Sequence, residues 1–261
     1  MKMNKSLVVL IAVTALTTLA DFAIAQEKTQ SRNPRYEKSY EHREFKSSTD
    51  GELKYGWMKP IQIKPDDKFP LVVCLHGAGG SVGASAVLAK PEMREKYPAF
   101  VMVPAADRPF TWAVTDVIKR PGGPTSYPEK LPVLIEAVKS LIQSEVIDPN
   151  RVYITGQSMG GVGSWGAIAK HPDLFAAAVP ICGAWAVEEA AKMATVPVWA
   201  FHGDQDPTVP VKFSRELTDA ITKAGGVAKY TEYPGVGHDS WTNAYHDEKM
   251  WQWLFAQRRT N

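Results

Sequence analysis

The sequence predicts an α/β fold in which a mostly parallel sheet lies between two layers of helices. From Phe69 onward, short apolar runs alternate with helix-like segments, and loops marked by glycine or proline separate them. Strands that are apolar on both faces and alternate with helices are typical of a parallel sheet with both faces covered. With 261 residues, 44% of them hydrophobic, the chain can bury a substantial core. We find no internal repeat or low-complexity linker, so we expect a single domain over residues 36–261.

The N-terminal segment has a different composition. Two early lysines precede an apolar stretch from Leu7 to Leu16, and a small-x-small triplet ends at Ala25. This pattern predicts a signal peptide over residues 1–25, followed by a polar spacer over 26–35, and hence a secreted or periplasmic protein. A membrane anchor is the alternative, but the apolar stretch is shorter than the roughly 20 residues that span a bilayer. We therefore expect no stable membrane insertion after signal cleavage.

The first predicted elements form an antiparallel hairpin at the N-terminal edge of the sheet. Two extended stretches, near Tyr40 to Phe45 and near Leu53 to Ile63, flank the dipeptide Asp50-Gly51. Asp-Gly between two strand-like runs is a strong hairpin signal because glycine adopts the positive φ that such a turn needs.

The remaining strands and helices follow in alternation. The predicted strands lie within residues 71–77, 99–104, 151–156, 176–183, 196–203 and 228–235. The predicted helices lie near residues 127–144, 158–170, 185–193, 212–224 and 246–257. The short helix near 185–193 leaves little room for an inserted segment, so we expect no lid domain.

The stretch RVYITGQSMGGVGSW, residues 151–165, places Ser158 between a β-branched run and a helical run. A Gly-x-Ser-x-Gly pentapeptide alone is a weak signal, but a strand before it and a helix after it are the context of a nucleophile elbow. Glycines beside the serine permit the sharp turn and the close backbone approach that this elbow requires. Ser158 is therefore the candidate nucleophile, and a plain glycine-rich turn is the alternative.

A serine nucleophile needs a base, and the chain supplies candidates in the order serine, acid, histidine. His238, in YPGVGHDSW, is the candidate base, and Asp206, in FHGDQDPTVP, is the candidate acid that orients its imidazole. Asp204 is a rival acid in the same loop. Asp239 is a weaker candidate because it neighbours the histidine directly in sequence.

The oxyanion of an acyl-transfer intermediate needs two backbone donors. One is the N–H of Met159, the residue after the nucleophile, and we assign the other to Ala78 in the loop CLHGAGGS. That loop lacks the Lys-Ser/Thr ending of a P-loop and the spacing of a dinucleotide site.

The four motifs HGAGG, GQSMGG, HGDQDPTVP and GHDSW together resemble the α/β-hydrolase superfamily. Residues 148–184 look like the secreted feruloyl-esterase, polyhydroxybutyrate-depolymerase and prolyl-oligopeptidase-like group. The resemblance implies a serine carboxylesterase, often acting on plant cell-wall esters. It also implies that the strand ending at Thr155 lies between those ending at His76 and Cys182. One departure is Ala78, where a bulky residue is common.

Several further residues have both a functional and a structural interpretation. Trp112, Trp185 and Trp241 follow strand ends or motifs, so they are candidates for an aromatic substrate cleft or for core packing. His76 and His202 stand in strand-end His-Gly pairs without a metal-ligand motif, so we expect structural histidines and no metal site. We expect Cys74 and Cys182 to be buried free thiols, because an intervening strand would hold them too far apart for a disulfide.

Composition excludes some functions and leaves others open. A formal charge of +2, without a basic stripe, argues against a nucleic-acid partner. We expect a secreted serine carboxylesterase that needs no cofactor and acts on small or polymer-linked esters, including feruloyl or acetyl esters of plant polysaccharides. The alternatives are a prolyl-oligopeptidase-like peptidase and a non-catalytic binding module. The sequence does not indicate the oligomeric state.

Overall fold

The computed structural model describes residues 38–49, 51–80, 83–118 and 127–259. The predicted signal peptide and polar spacer lie outside these residues, and so does Asp50 of the predicted hairpin turn. Within the described ranges, no helix is long and apolar enough to cross a membrane.

The N-terminal hairpin forms the edge of the sheet, as predicted. Strand β1 (Glu41–Lys46) pairs antiparallel with β2 (Glu52–Met58), and Gly51 between them has a φ of 79°. Strand β2 ends before the predicted limit at Ile63. Pro60 follows closely and has no N–H to donate to a neighbouring strand, so pairing stops there.

Six further strands match the six predicted apolar runs. They are β3 (Phe69–Leu75), β4 (Phe100–Pro104), β5 (Ile147–Gln157), β6 (Ala177–Ile181), β7 (Val198–Gly203) and β8 (Ala228–Tyr233). In the described residues they join the hairpin in one sheet with the order β1-β2-β4-β3-β5-β6-β7-β8. Strand β2 pairs antiparallel with β4, and every pairing from β4 to β8 is parallel. Strand β5 therefore lies between β3 and β6, as the resemblance implied.

The helices match the prediction in part. They are α1 (Gly83–Leu88), α2 (Pro91–Lys96), α3 (Leu131–Ser144), α4 (Met159–Lys170), α5 (Ala190–Met193), α6 (Lys212–Lys223), α7 (Trp241–His246) and α8 (Glu248–Ala256). A 3₁₀ turn, Val187–Glu189, precedes α5. Helices α1 and α2 were not predicted, because six residues each are too few to display a helical period. The predicted helix near 246–257 corresponds to α8, which begins after Asp247, and the carboxylate of Asp247 caps α8 by accepting the N–H of Lys249. Helix α7, which precedes Asp247, was not predicted.

Successive side chains along a strand point to opposite faces of the sheet, and each face packs in its own hydrophobic core. Leu71, Val73 and Leu75 of β3 pack in one core with α3, α4, α5 and α6. Val72 and Cys74 pack in the other with α1, α2, α7 and α8. Both faces of the sheet are thus covered by helices, which is the predicted architecture.

The two cysteines are free and buried, as predicted. Cys74 lies in β3 and Cys182 follows β6, and β5 runs between those strands. Burial raises the pKa of Cys182 to about 12, so its thiol stays protonated at neutral pH.

Candidate active site

Ser158 occupies a strained turn between β5 and α4. Its φ of 54° is one that L-residues with side chains rarely adopt. The turn requires glycine on both sides of the serine. A Cβ on Gly160 would lie only 2.2 Å from the carbonyl oxygen of Leu75, and a Cβ on Gly156 would lie only 2.4 Å from the carbonyl oxygen of Gly160. Glycine at both positions lets α4 start directly against β3. This is the backbone of a nucleophile elbow.

The structure brings Ser158, His238 and Asp206 together although they are distant in sequence. The Oγ of Ser158 lies 2.9 Å from Nε2 of His238, and Nδ1 of His238 lies 2.7 Å from Oδ2 of Asp206. A carboxylate only accepts hydrogen bonds, so Nδ1 of His238 carries the proton that faces Asp206. The lone pair of Nε2 then faces the serine hydroxyl, which is the arrangement that proton abstraction from Ser158 requires.

Asp206 is buried and strongly hydrogen-bonded. Its Oδ1 accepts the backbone N–H groups of Thr208 at 2.8 Å and Val209 at 2.9 Å. Burial alone would raise the pKa of Asp206, but hydrogen bonds from His202, His238 and these two amides outweigh it and hold the pKa well below its usual range. The carboxylate is therefore charged at every pH at which an imidazole base can act.

The rival acids have other positions. Oδ1 of Asp204 accepts the N–H of Gly235 at 2.7 Å, so this carboxylate joins the loops after β7 and β8. Asp239 is exposed to solvent. Only Asp206, of the three carboxylates considered, contacts the ring of His238.

The two candidate oxyanion donors come from α4 and from the loop after β3. Met159 is the first residue of α4, and the first N–H groups of a helix have no partner within it. The loop that contains Ala78 lies against the elbow, since a Cβ on Gly77 would be 3.6 Å from Cβ of Ser158. His76 holds this loop, because its Nε2 accepts the N–H of Ala106 at 2.9 Å and its Nδ1 lies 2.7 Å from the carbonyl oxygen of Gly77. Burial lowers the pKa of His76, which suits this neutral, structural histidine.

The three candidate tryptophans divide into two groups. Trp241 is half-buried, and its ring meets that of His238 edge to face at a centroid distance of 5.4 Å. Trp112 and Trp185 are 0% and 3% exposed and belong to the hydrophobic core. Of the two interpretations given for these two residues, burial supports core packing rather than a substrate cleft, because side chains without solvent access cannot meet a substrate in this conformation.

One group of metal-type ligands overlaps this site. Ligand atoms of Cys182, Asp206 and His238 lie within 4.8 Å of one another. Both nitrogens of His238 already face Ser158 and Asp206. The imidazole of His238 is therefore engaged between the serine and the aspartate.

Sequence reasoning missed one neighbour of the site. His202 was expected to be purely structural, yet its Nε2 lies 3.2 Å from Oδ2 of Asp206. The spacing of four residues within HGDQD, across the turn that follows β7, is the only sequence signal that could have indicated this contact.

Comparison with known proteins agrees with this fold and with an esterase. A phospholipase/carboxylesterase family model matches residues 125–252. Over 120 residues, 44% of this chain, the sequence is 31% identical to poly(3-hydroxyalkanoate) depolymerase C of Paucimonas lemoignei. Over 142 residues, 51% of this chain, it is 30% identical to cutinase 1 of Thermobifida cellulosilytica. The crystal structure of a thermostable esterase, 36% identical, superposes with a TM-score of 0.79 over 86% of this chain.

The sheet order, the serine elbow and the adjoining histidine and aspartate define an α/β hydrolase. The family model and the relatives show that the chain is similar to esterases of that superfamily. The chain spans 28% of the depolymerase, 51% of the cutinase and 64% of the thermostable esterase, which is less than two thirds of each.

Proposed function

We propose that this protein is a serine carboxylesterase that cleaves its substrate through an acyl-enzyme on Ser158. The observation that carries the proposal is the hydrogen-bonded series from Ser158 through His238 to Asp206, with distances of 2.9 and 2.7 Å. These distances lie within the range in which a base can take a proton from a nucleophile. The esterase relatives support the reaction class.

The mechanism uses the same groups in both half-reactions, the acylation and the deacylation of Ser158. Oγ of Ser158 attacks the acyl carbon while Nε2 of His238 takes its proton, and Asp206 stabilises the resulting imidazolium. The N–H groups of Ala78 and Met159 donate to the developing oxyanion, where each such donor contributes roughly 3 kcal/mol. His238 then returns the proton to the departing alcohol. Water, activated by the same histidine, finally releases the acid and restores the serine hydroxyl.

The substrate class follows from access to the serine. Ser158, Met159 and His238 are all partly exposed, and the connection between β6 and β7 carries only a 3₁₀ turn and the four-residue helix α5. An open site suits esters carried on a polymer better than deeply enclosed lipids. We propose feruloyl or acetyl esters of extracellular polymers as substrates, in agreement with the predicted signal peptide and secretion.

Ser158→Ala tests the reaction, and Ser144→Ala on the exposed end of α3 is the matched control. We expect wild type and the control to hydrolyse p-nitrophenyl acetate and methyl ferulate. Ser158→Ala should lose on the order of 10⁶-fold in kcat, as serine hydrolases do without their nucleophile. A fluorophosphonate probe should label wild type and the control but not Ser158→Ala.

Two outcomes would contradict the proposal. Turnover of a proline p-nitroanilide without turnover of either ester would indicate a peptidase. A folded wild-type protein that takes no fluorophosphonate label and hydrolyses no substrate would be a binding module with a hydrolase fold.

A further inference from the structure

His202 is a fully buried polar residue whose hydrogen-bond partners lie in helix α6 and in the loop after β7. It stands near the end of β7, with 0% of its surface exposed. Its Nδ1 lies 2.7 Å from Oγ of Ser214 in helix α6. Its Nε2 lies 2.9 Å from the carbonyl oxygen of Val209 and 3.2 Å from Oδ2 of Asp206.

These partners determine the tautomer of the ring. The carbonyl of Val209 and the carboxylate of Asp206 only accept hydrogen bonds, so Nε2 of His202 must carry a proton. That N–H is shared between the two acceptors, and the hydroxyl of Ser214 meets the opposite nitrogen. The ring is held on both sides and cannot flip without losing both contacts.

The consequence for Asp206 is that all of its acceptor capacity is used. An ionised carboxylate has about four lone-pair positions. Four donors face Asp206: the amides of Thr208 and Val209 at Oδ1, and the rings of His202 and His238 at Oδ2. The two amides fix one oxygen, and His202 gives the other oxygen a second donor beside His238. The carboxylate therefore cannot rotate away from His238.

We propose that His202 is a positioning residue that holds the Asp206 carboxylate in the orientation at which His238 accepts the serine proton. The inference rests on the proposed function, because it concerns the same hydrolytic site. His202 touches no reacting atom and acts through Asp206 alone.

Two substitutions separate positioning from simple core packing. In His202→Gln, the amide nitrogen can reach the position of Nε2 and donate toward Asp206. In His202→Asn, the shorter amide reaches only the position of Nδ1, toward Ser214. Both variants are polar and remove the ring, so packing alone predicts similar behaviour for the two.

We expect His202→Asn to lose about 10²-fold in kcat on p-nitrophenyl acetate, a loss typical of a reacting group that is misplaced by about 1 Å. KM should stay unchanged, because His202 lies away from the substrate. His202→Gln should recover most of the wild-type kcat. Rates are compared per active site titrated with fluorophosphonate. Equal kcat in wild type, Gln and Asn variants would overturn the proposal, and so would equal losses in the two variants.

A measurement on the wild-type protein covers the case in which His202→Asn does not fold. The imidazole N–H resonance of His202, assigned by its loss in His202→Gln, should shift when fluorophosphonate attaches to Ser158 and alters the hydrogen bond between His238 and Asp206. An unshifted resonance would overturn the positioning role. If wild type neither reacts with the probe nor hydrolyses an ester, it is the proposed function that fails.

Discussion

At the scale of single residues, the backbone of Ser158 is strained at the position where the chemistry is proposed to occur. A non-glycine residue in a sparsely populated backbone region costs about 1–3 kcal/mol, a sizeable share of the 5–15 kcal/mol that stabilises a typical domain. The turn persists because the amide of Ser158 donates to Ile181 at 2.9 Å and its carbonyl accepts the N–H of Val162 at 3.0 Å. The strained turn places the hydroxyl at the carboxyl end of β5, where it is partly exposed.

Trp241 and Trp185 provide a matched pair of substitutions at this scale. Trp241→Ala removes a half-buried ring that contacts His238, so we expect a lower kcat/KM on methyl ferulate with a small change in thermal midpoint. Trp185→Ala empties a buried site and should cost about 3–5 kcal/mol of unfolding free energy. Steady-state kinetics and denaturant unfolding measure both quantities. An unchanged kcat/KM in Trp241→Ala would contradict a contact between this ring and the substrate.

At the scale of elements, helix α4 approaches the sheet unusually closely because its inner face is made of glycine. Added Cβ atoms would lie 2.4 Å from the carbonyl oxygen of Ile181 at Gly161 and 2.5 Å from Cβ of Trp112 at Gly163. This helix supplies Met159 to the candidate oxyanion hole. Its distance from the sheet therefore sets the geometry of the site.

Gly160→Ala tests the close approach. Within a helix, alanine is normally favoured over glycine by about 1 kcal/mol. Here the new Cβ would lie 2.2 Å from a backbone oxygen of β3, which cannot give way as a flexible side chain would. We expect a net loss of about 1–3 kcal/mol in unfolding free energy and reduced labelling by fluorophosphonate.

Gly79→Ala is the control, since nothing lies within 4 Å of the added atom and its φ is not positive. Its unfolding free energy should stay near that of wild type. Stabilisation of Gly160→Ala in a denaturant titration would show that the helix can move away from β3.

At the scale of the whole molecule, the C-terminal segment is fastened to the central strand β5. Arg258 donates to Oδ2 of Asp148 at 2.7 Å, and the amide of Arg259 donates to the carbonyl of Asn150 at 2.9 Å. The hydroxyl of Tyr153 donates to the carbonyl of Gln257 at 2.7 Å. These contacts hold α8 against the face of the sheet that it covers.

Asp148 makes the stability that these C-terminal contacts contribute depend on pH. Burial would raise the pKa of Asp148, but hydrogen bonds from the amide of Asn150 and from Arg151 and Arg258 outweigh it and lower the pKa. The folded pKa is thus below the unfolded value of about 3.9, so the stabilisation is present above that pH and is lost as the pH falls further. We expect Asp148→Asn to be less stable than wild type at pH 7, with a difference that shrinks below about pH 4.

Denaturant unfolding at pH 7 and at a pH below about 4 measures this difference in unfolding free energy. Asp219→Asn on the exposed face of α6 is the control and should match wild type at both. A stability difference for Asp148→Asn that is equal at the two pH values would contradict the link to the charged carboxylate.

The sequence by itself predicted the layered α/β architecture and the chain positions of Ser158, Asp206 and His238. The order of the central strands was implied by the resemblance to the α/β-hydrolase superfamily. The architecture could be predicted because apolar runs and glycine-marked turns are local patterns. The site could be predicted because the carboxyl ends of parallel strands share one edge of the sheet, which brings the loops after them together. The short helices α1 and α2 escaped prediction because six residues carry too little period.

Only the tertiary structure decided what each residue touches across the fold. It distinguished Trp241 from the buried Trp112 and Trp185, paired Asp206 rather than Asp204 with His238, and joined His202 to that carboxylate. The physical reason is that burial and hydrogen-bond partners depend on how distant elements pack. Local sequence patterns specify the elements themselves but not the side chains that meet when they pack.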